Sequence, residues 1–346
     1  MMRRMSVGSV AKSSCRISDS SPNGHVLSVG ITGSGKSVRN EEMELDAAKN
    51  GHTVIVIDTN LSRKQDGIFE PIRDEYSVWT NRIDAREDGL SVSFLQPMAG
   101  NDGRHEDYVK VVNSAVLTLS AGYKIGIRQR TKLRKAVIFA MENRNNYTDE
   151  MTAIGVGLLQ QEDTTAEGVY QRLWTVFNSR VFFQSVKYLR MGMINVISFT
   201  DMDKLTQATC VEIFISYLWR AIQYLNLFEG GEIVLSIDEF QNLPLGEGSV
   251  LRDILREGRK FGISLLLATQ TLSVFPKEVR SILNQAGTKL YFRQAVNEAY
   301  NTSKEIDLRN KEHWMDILSS LKVGEAVATG NFCINGQEIN HPILTR

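Results

Sequence analysis

The apolar positions of the chain fall into two rhythms. Short unbroken runs recur at HVLSVG (25–30), TVIVID (53–58), INVISF (194–199), EIVLSID (232–238), ISLLLATQ (263–270) and TKLYFR (288–293), rich in β-branched residues. They lack polar alternation, as strands do when both faces of a parallel sheet are covered. Helical patterns separate most of them, such as SVRNEEMELDAAKN after the first and SVLRDILREGRKF after the fourth. This alternation predicts βαβ units and an α/β chain with a mostly parallel central sheet.

Residues 104–190 break the rhythm. They hold long helix-like segments, EDYVKVVNSAVLTL, RTKLRKAVIFAMEN and TTAEGVYQRLWTVFNS, without a convincing strand, and predict a helical insertion on the sheet. Before His25, MSVGSVAKSSCRIS alternates weakly and suggests an edge hairpin. The tail EAVATGNFCINGQEINHPI suggests a terminal hairpin closing the same sheet, turning at Asn335-Gly336. The expected organisation is an N-terminal segment at 1–23, a first core part at 24–103, the insertion at 104–190 and a second core part at 191–346.

Composition narrows the class only a little. The 346 residues carry 40 basic and 40 acidic side chains, so no bulk field draws the chain to nucleic acid or membrane. Any nucleic-acid role needs a local basic surface. Three widely spaced cysteines argue against a disulfide framework and for a reducing compartment. No apolar run is long enough for a bilayer span, and the start MMRRMSVGSVAKSS has charge but no apolar core, so the expectation is a cytoplasmic protein.

The chemistry enters at GITGSGKS, residues 30–37, which match G-x-x-x-x-G-K-[ST] between a strand and a helix. In such a loop backbone N–H groups curl around a phosphate on the helix N-terminus. Thr32, Gly33, Ser34, Gly35, Lys36, Ser37 and Val38 are the expected nucleotide-binding residues. Lys36 supplies a cation to the β/γ-phosphates, and the Ser37 hydroxyl is a Mg²⁺ ligand. A hydrolysing site also needs an acid at the tip of a nearby parallel strand, and EIVLSIDEF supplies Asp238 for the metal and Glu239 to polarise the attacking water. Gln270 ends the next strand, where ligands gather in parallel sheets. Arg256, Arg259 and Lys260 precede that strand. From chemistry alone they read equally as a solvated helix C-terminus or as the source of an arginine reaching a neighbour's γ-phosphate. The densest basic run, YKIGIRQRTKLRK (123–135), is a candidate DNA contact or a solvated helix face. Asp58 reads as a strand-end turn residue.

Taken in order, GITGSGKS, IVLSIDEFQNLP, REGRKFGISLLLATQ, GTKLYFR and LKVGEAVATG resemble the HerA/FtsK superfamily of P-loop ATPases, over roughly residues 24–330. The HerA-like and conjugative (type IV secretion) ATPases are the nearest in style. The resemblance implies a RecA-like core using ATP and Mg²⁺, assembled as a homo-oligomeric ring, normally a hexamer, that translocates double-stranded DNA in processing, defence or conjugative transfer, or serves a secretion channel. It implies that Lys36 and Ser37 are the Walker A pair and that Asp238 and Glu239 are the Walker B pair. Gln270 becomes a sensor and Arg259 the trans finger, with Arg256 as the substitute. The chain departs from the family in having no β-barrel ahead of the motor, no membrane span and no DNA-reading winged helix. The expectation is a bare motor, either truncated or dependent on a partner polypeptide that supplies a collar or a nuclease or secretion component. An ATPase powering protein export, and an ATP-gated scaffold for a partner enzyme, are the alternatives; paired Asp238-Glu239 and Arg259 speak against the scaffold.

Overall fold

The computed structural model describes residues 5–346 apart from 12, 101, 226–231 and 247. The expectation for residues 1–4, the basic start, lies outside the described residues.

Each of the six apolar runs forms a strand. They are β3 (Val26–Val29), β4 (Thr53–Asp58), β6 (Ile194–Ser198), β7 (Ile233–Ile237), β8 (Ile263–Thr269) and β9 (Thr288–Tyr291). With β5 (Thr80–Asp84), β10 (Ala326–Gly330) and β13 (Ile343–Thr345) they build a nine-stranded sheet in the order β13-β10-β9-β3-β8-β7-β4-β6-β5. From β9 to β5 every neighbouring pair is parallel, whereas β10 runs antiparallel to both β9 and β13.

The apolar runs are continuous because the sheet is covered twice. Along β3, Leu27 and Val29 face one core while Val26 faces the other, and Ile55 and Ile57 alternate with Val54 and Val56 along β4. One face carries α7 (Lys204–Leu225), α8 (Val250–Glu257), α9 (Lys277–Leu283), α10 (Val296–Ile306) and α11 (Lys311–Ser320). The other carries α1 (Lys36–Lys49), Tyr76 from α2 (Arg73–Val78) and a second sheet.

That second sheet corrects both terminal expectations. β1 (Ser6–Val10) and β2 (Ser13–Ile17) form the hairpin, and β11 (Phe332–Ile334) and β12 (Gln337–Ile339) form the other, turning at Asn335 (φ 50°) and Gly336 (φ 81°). Neither adds to the central sheet. They join each other through β2 and β11 as a four-stranded antiparallel sheet. Met5, Val7, Cys15, Ile17 and Phe332 are buried against the central sheet's core, so burial outcompetes extension of the open edge. The central sheet is instead closed by β10 and β13.

Between β5 and β6 lie α3 (Tyr108–Ser120), α4 (Ile127–Asn143), α5 (Glu150–Leu159) and α6 (Thr164–Phe177). They pack around their own cluster, which includes Val116, Leu133, Val137, Ile154 and Leu173, and reach α7 through Ile213. Asp107, Asp149 and Asp163 cap three of these helices through backbone N–H groups.

Candidate active site

β3 ends at the glycine-rich loop and α1 begins at Lys36, so the loop is a strand-to-helix turn. Gly33 (φ 73°) and Gly35 (φ 105°) adopt left-handed conformations that only glycine takes freely. The turn is held from outside: Gly30 N–H donates to the Thr269 carbonyl (3.2 Å), Ile31 N–H to Arg293 (2.9 Å), and Gly324 N–H to Ser34 (3.0 Å). Thr32 and Gly33 are exposed at the tip, and Val38 is half-buried in the first turn of α1. Lys36 is buried, its ammonium donating to the carbonyls of Gly30 (2.7 Å) and Ile31 (3.1 Å). Burial lowers its pKa, against the opposing pull of Asp238 and Glu239. Ser34 Oγ is buried and carries no hydrogen bond among the described residues. An orphaned hydroxyl and a lysine resting on carbonyls are what an anion cradle presents, so the loop fits a phosphate group.

Across the sheet edge, Ser37 Oγ donates to Asp238 Oδ2 at 2.7 Å. Asp238 is the residue after β7, and β8 lies between β7 and β3, so Gln270, the residue after β8, stands between loop and acid. Glu239 sits in left-handed backbone (φ 52°), a conformation costing a non-glycine residue about 1 kcal/mol or more. Its Oε1 accepts from Gln270 Nε2 (3.2 Å) and its Oε2 from Gln241 Nε2. Gln241 Oε1 in turn accepts from Thr269 Oγ1 (2.8 Å). The strained turn aims the second carboxylate at the loop side of the edge, and two glutamines fix it there. A hydroxyl and a carboxylate in contact can share a hard cation, with phosphate oxygens and water completing the shell. A second carboxylate beside them can accept a proton from water.

No family profile matches the chain, and no curated protein matches it in sequence. Solved structures do. VirB4 of Thermoanaerobacter pseudethanolicus superposes with a TM-score of 0.68 at 17% identity, covering 93% of this chain and 90% of that one. The bacterial conjugative coupling protein TrwB, in an unbound form, gives a TM-score of 0.68 at 14% identity, with 99% and 88% covered. TrwB with ADP and Mg²⁺ gives 0.66 at 15% identity, with 99% and 90% covered. The chain has the RecA-like fold of VirB4 and TrwB.

On this RecA-like sheet the expected residues do not all meet. Lys36, Ser37, Asp238, Glu239 and Gln270 come together at the C-terminal edge of the parallel strands. Arg259 does not join them. It precedes β8, on the opposite edge of the sheet, exposed, with Nη1 donating to the Pro22 carbonyl (2.6 Å). Arg256 is likewise exposed, on α8. Asp58 is a turn residue, its carboxylate accepting from the N–H groups of Asn60 (3.2 Å), Ser62 (3.0 Å) and Arg63 (3.1 Å). In the basic run, Lys124, Arg128, Arg130, Arg134 and Lys135 are exposed, while Lys132 pairs with Asp163 at 2.9 Å.

Two features of the RecA-like site escape a reading of local pattern. Gln241 is one: it lies in IDEFQNLP without any spacing rule to mark it. The other is a buried polar knot behind the loop. Glu44 accepts from Arg63 (Nη2, 3.0 Å), Tyr76 (2.5 Å) and Ser236 (2.6 Å), while Glu41 faces Arg63 at 3.4 Å. Burial pushes the Glu41 carboxyl up to about 7, despite Arg63. The only sequence signal was the acidic pair at 41–42 and Glu44 on a helix that must pack against a sheet.

Proposed function

We propose that the chain is an ATP-hydrolysing motor of the HerA/FtsK type, a hexameric ring that translocates double-stranded DNA. The observation that carries the ATPase reading is the Ser37–Asp238 hydrogen bond at 2.7 Å, with Glu239 held beside it. Support for ATP and Mg²⁺ comes from the loop's fit to phosphate and from TrwB, a protein of the same fold solved with ADP and Mg²⁺ and with ADPNP. In this reading residues 32–38 hold the nucleotide, and Lys36 exchanges the Gly30 and Ile31 carbonyls for phosphate oxygens. Ser37 and Asp238 hold Mg²⁺, which neutralises phosphate charge. Glu239 takes the proton of the attacking water, Gln270 and Gln241 keep that carboxylate aligned, and Arg259 serves the next subunit's nucleotide.

The DNA reading is supported by α4. Arg128 and Arg130 stand in its first turn, where the helix dipole disfavours cations, and its seventeen residues hold one carboxylate, Glu142. A helix start kept cationic at an electrostatic cost suits phosphate contact. Export of protein is the second reading, because the phosphate loop and the Asp238–Glu239 pair would serve either load equally. Steady-state ATPase with and without double-stranded DNA decides between them. Stimulation that falls with salt, and falls when Arg128, Arg130 and Arg134 are changed to Gln, supports the motor. An ATPase indifferent to DNA, without salt-sensitive DNA binding, sinks it in favour of export. Native mass spectrometry reads the ring, and any partner polypeptide that completes it.

A further inference from the structure

α3 and α8 both pack on α7, and a groove runs between them. Ser114 Oγ and Ser216 Oγ, hydrogen-bonded at 3.4 Å, tie α3 to α7. Val250 N–H, donating to the buried Glu212 side chain at 2.9 Å, ties α8 to α7. The two outer helices are therefore ridges, and Ser216, Trp219 and Arg220 of α7 form the floor. The groove has a volume of about 650 Å³. It follows α3 from Glu106 to Leu117, about 17 Å or about three turns at 1.5 Å per residue.

Its lining joins apolar surface to negative charge. Val109 and Leu117, on the same side of α3, are 60% and 39% exposed. On α8, Asp253 and Glu257 are exposed, and neither has a cation within ion-pair distance among the described residues. Partial burial and the Glu257 charge push the Asp253 carboxyl up, against Arg256, Arg252 and Lys110. Like charges four residues apart repel on a helix. Glu257 also ends α8, where the helix dipole disfavours an anion. Of the cations in the groove, Arg220 is matched by Glu106 at 2.7 Å. Lys110 is turned onto Tyr224, 5.3 Å from the ring centroid and 3.4 Å from the hydroxyl. Two carboxylates kept together at a cost, beside exposed apolar side chains, are complementary to a surface both apolar and cationic.

We propose that this groove docks a basic amphipathic helix of a partner polypeptide. A helix laid between α3 and α8 sets its apolar side chains on Val109, Leu117 and Trp219. Its lysines or arginines then meet Asp253 and Glu257, in the helix-in-groove mode of recognition. The negative groove repels nucleic acid, so this surface is separate from the DNA contact on α4.

Fluorescence anisotropy of the full chain with a labelled peptide tests this. The probe carries leucine and lysine at helical spacing over about 18 residues, about five turns, and the control has glutamate for lysine. Wild type binds the lysine peptide, more weakly as salt rises, and does not bind the glutamate peptide. Asp253→Asn combined with Glu257→Gln weakens the lysine peptide about fivefold, the order of two exposed ion pairs. That double variant loses a repulsion and is at least as stable as wild type in urea, so the weakening is not unfolding. Val109→Gln combined with Leu117→Gln weakens the lysine peptide about tenfold, and Lys110→Gln tightens it. Equal binding of the two peptides overturns the proposal, as does a lysine-peptide affinity that neither double variant moves. Absence of binding by wild type overturns it too. A change of oligomeric state in the α8 double variant, read by native mass spectrometry, assigns the groove to a second copy of this chain and also overturns it.

Discussion

Ser37 Oγ donates to Asp238 Oδ2 at 2.7 Å across 201 residues of chain. One atom lies in the first turn of α1 and the other just past the end of β7, with β8 between β3 and β7, so the contact exists only once the parallel sheet is assembled. Ser37→Ala and Asp238→Asn each remove one side of this pair. Both variants are expected to keep Lys36-dependent nucleotide binding while shifting the Mg²⁺ concentration for half-maximal hydrolysis upward by about tenfold or more, roughly the value of one charge-assisted hydrogen bond. A Mg²⁺ titration of the initial rate checks it.

Gln241 joins Glu239 to Thr269. Gln241→Ala is expected to lower kcat about tenfold with KM for ATP little changed, because the residue aligns a carboxylate and touches no phosphate. Gln241→Glu places a second negative charge against Glu239 and is expected to be worse. Initial rates over a range of ATP concentrations separate kcat from KM.

Glu239 occupies left-handed backbone for the sake of its side chain. Glu239→Gly relieves the strain and is expected to stabilise the chain by about 1 kcal/mol in urea denaturation. The same variant is expected to lose hydrolysis. Stability gained and activity lost at one position is the signature of a residue held for chemistry.

Glu212 is buried in α7, and burial pushes its carboxyl up to about 7. Its Oε1 accepts from Val250 N–H at 2.9 Å, and Oε2 has no partner among the described residues. The unfolded chain releases this proton near 4.5, the folded chain near 7, so between those values the folded state binds more protons. Stability from this group is therefore full below about pH 4.5 and falls as pH rises towards 7. Glu212→Gln keeps the acceptor and removes the ionisation. It is expected to be more stable than wild type at pH 8, on the order of 3 kcal/mol, and equal to it at pH 4. Urea denaturation at the two pH values reads the difference.

The strands legible in the sequence were those buried on both faces, because an unbroken apolar run leaves no other place for itself. TNRID, which forms β5, was not legible: it is an edge strand that alternates buried Asn81 and Ile83 with half-buried polar neighbours. The hairpins of the termini were visible through their turn residues, but not their partner, since pairing β2 with β11 joins segments over 300 residues apart. At the site, Lys36, Ser37, Asp238, Glu239 and Gln270 announced themselves by residue type at strand ends. Gln241 and the Glu41–Glu44–Arg63 knot did not, because their meaning lies in burial and long-range contact. Arg63 shows the limit well. It follows a turn like any surface arginine, yet it is one of the largest fully buried side chains.

Phosphate release from Mg·ATP by the full chain, measured for wild type, Glu239→Gln and Lys36→Ala, bears most directly on the central claim. The account predicts hydrolysis by wild type. Glu239→Gln should bind ATP but turn it over at least about a hundredfold more slowly, and Lys36→Ala should neither bind nor hydrolyse. Undiminished hydrolysis in Lys36→Ala, or equal rates in wild type and Glu239→Gln, would contradict it.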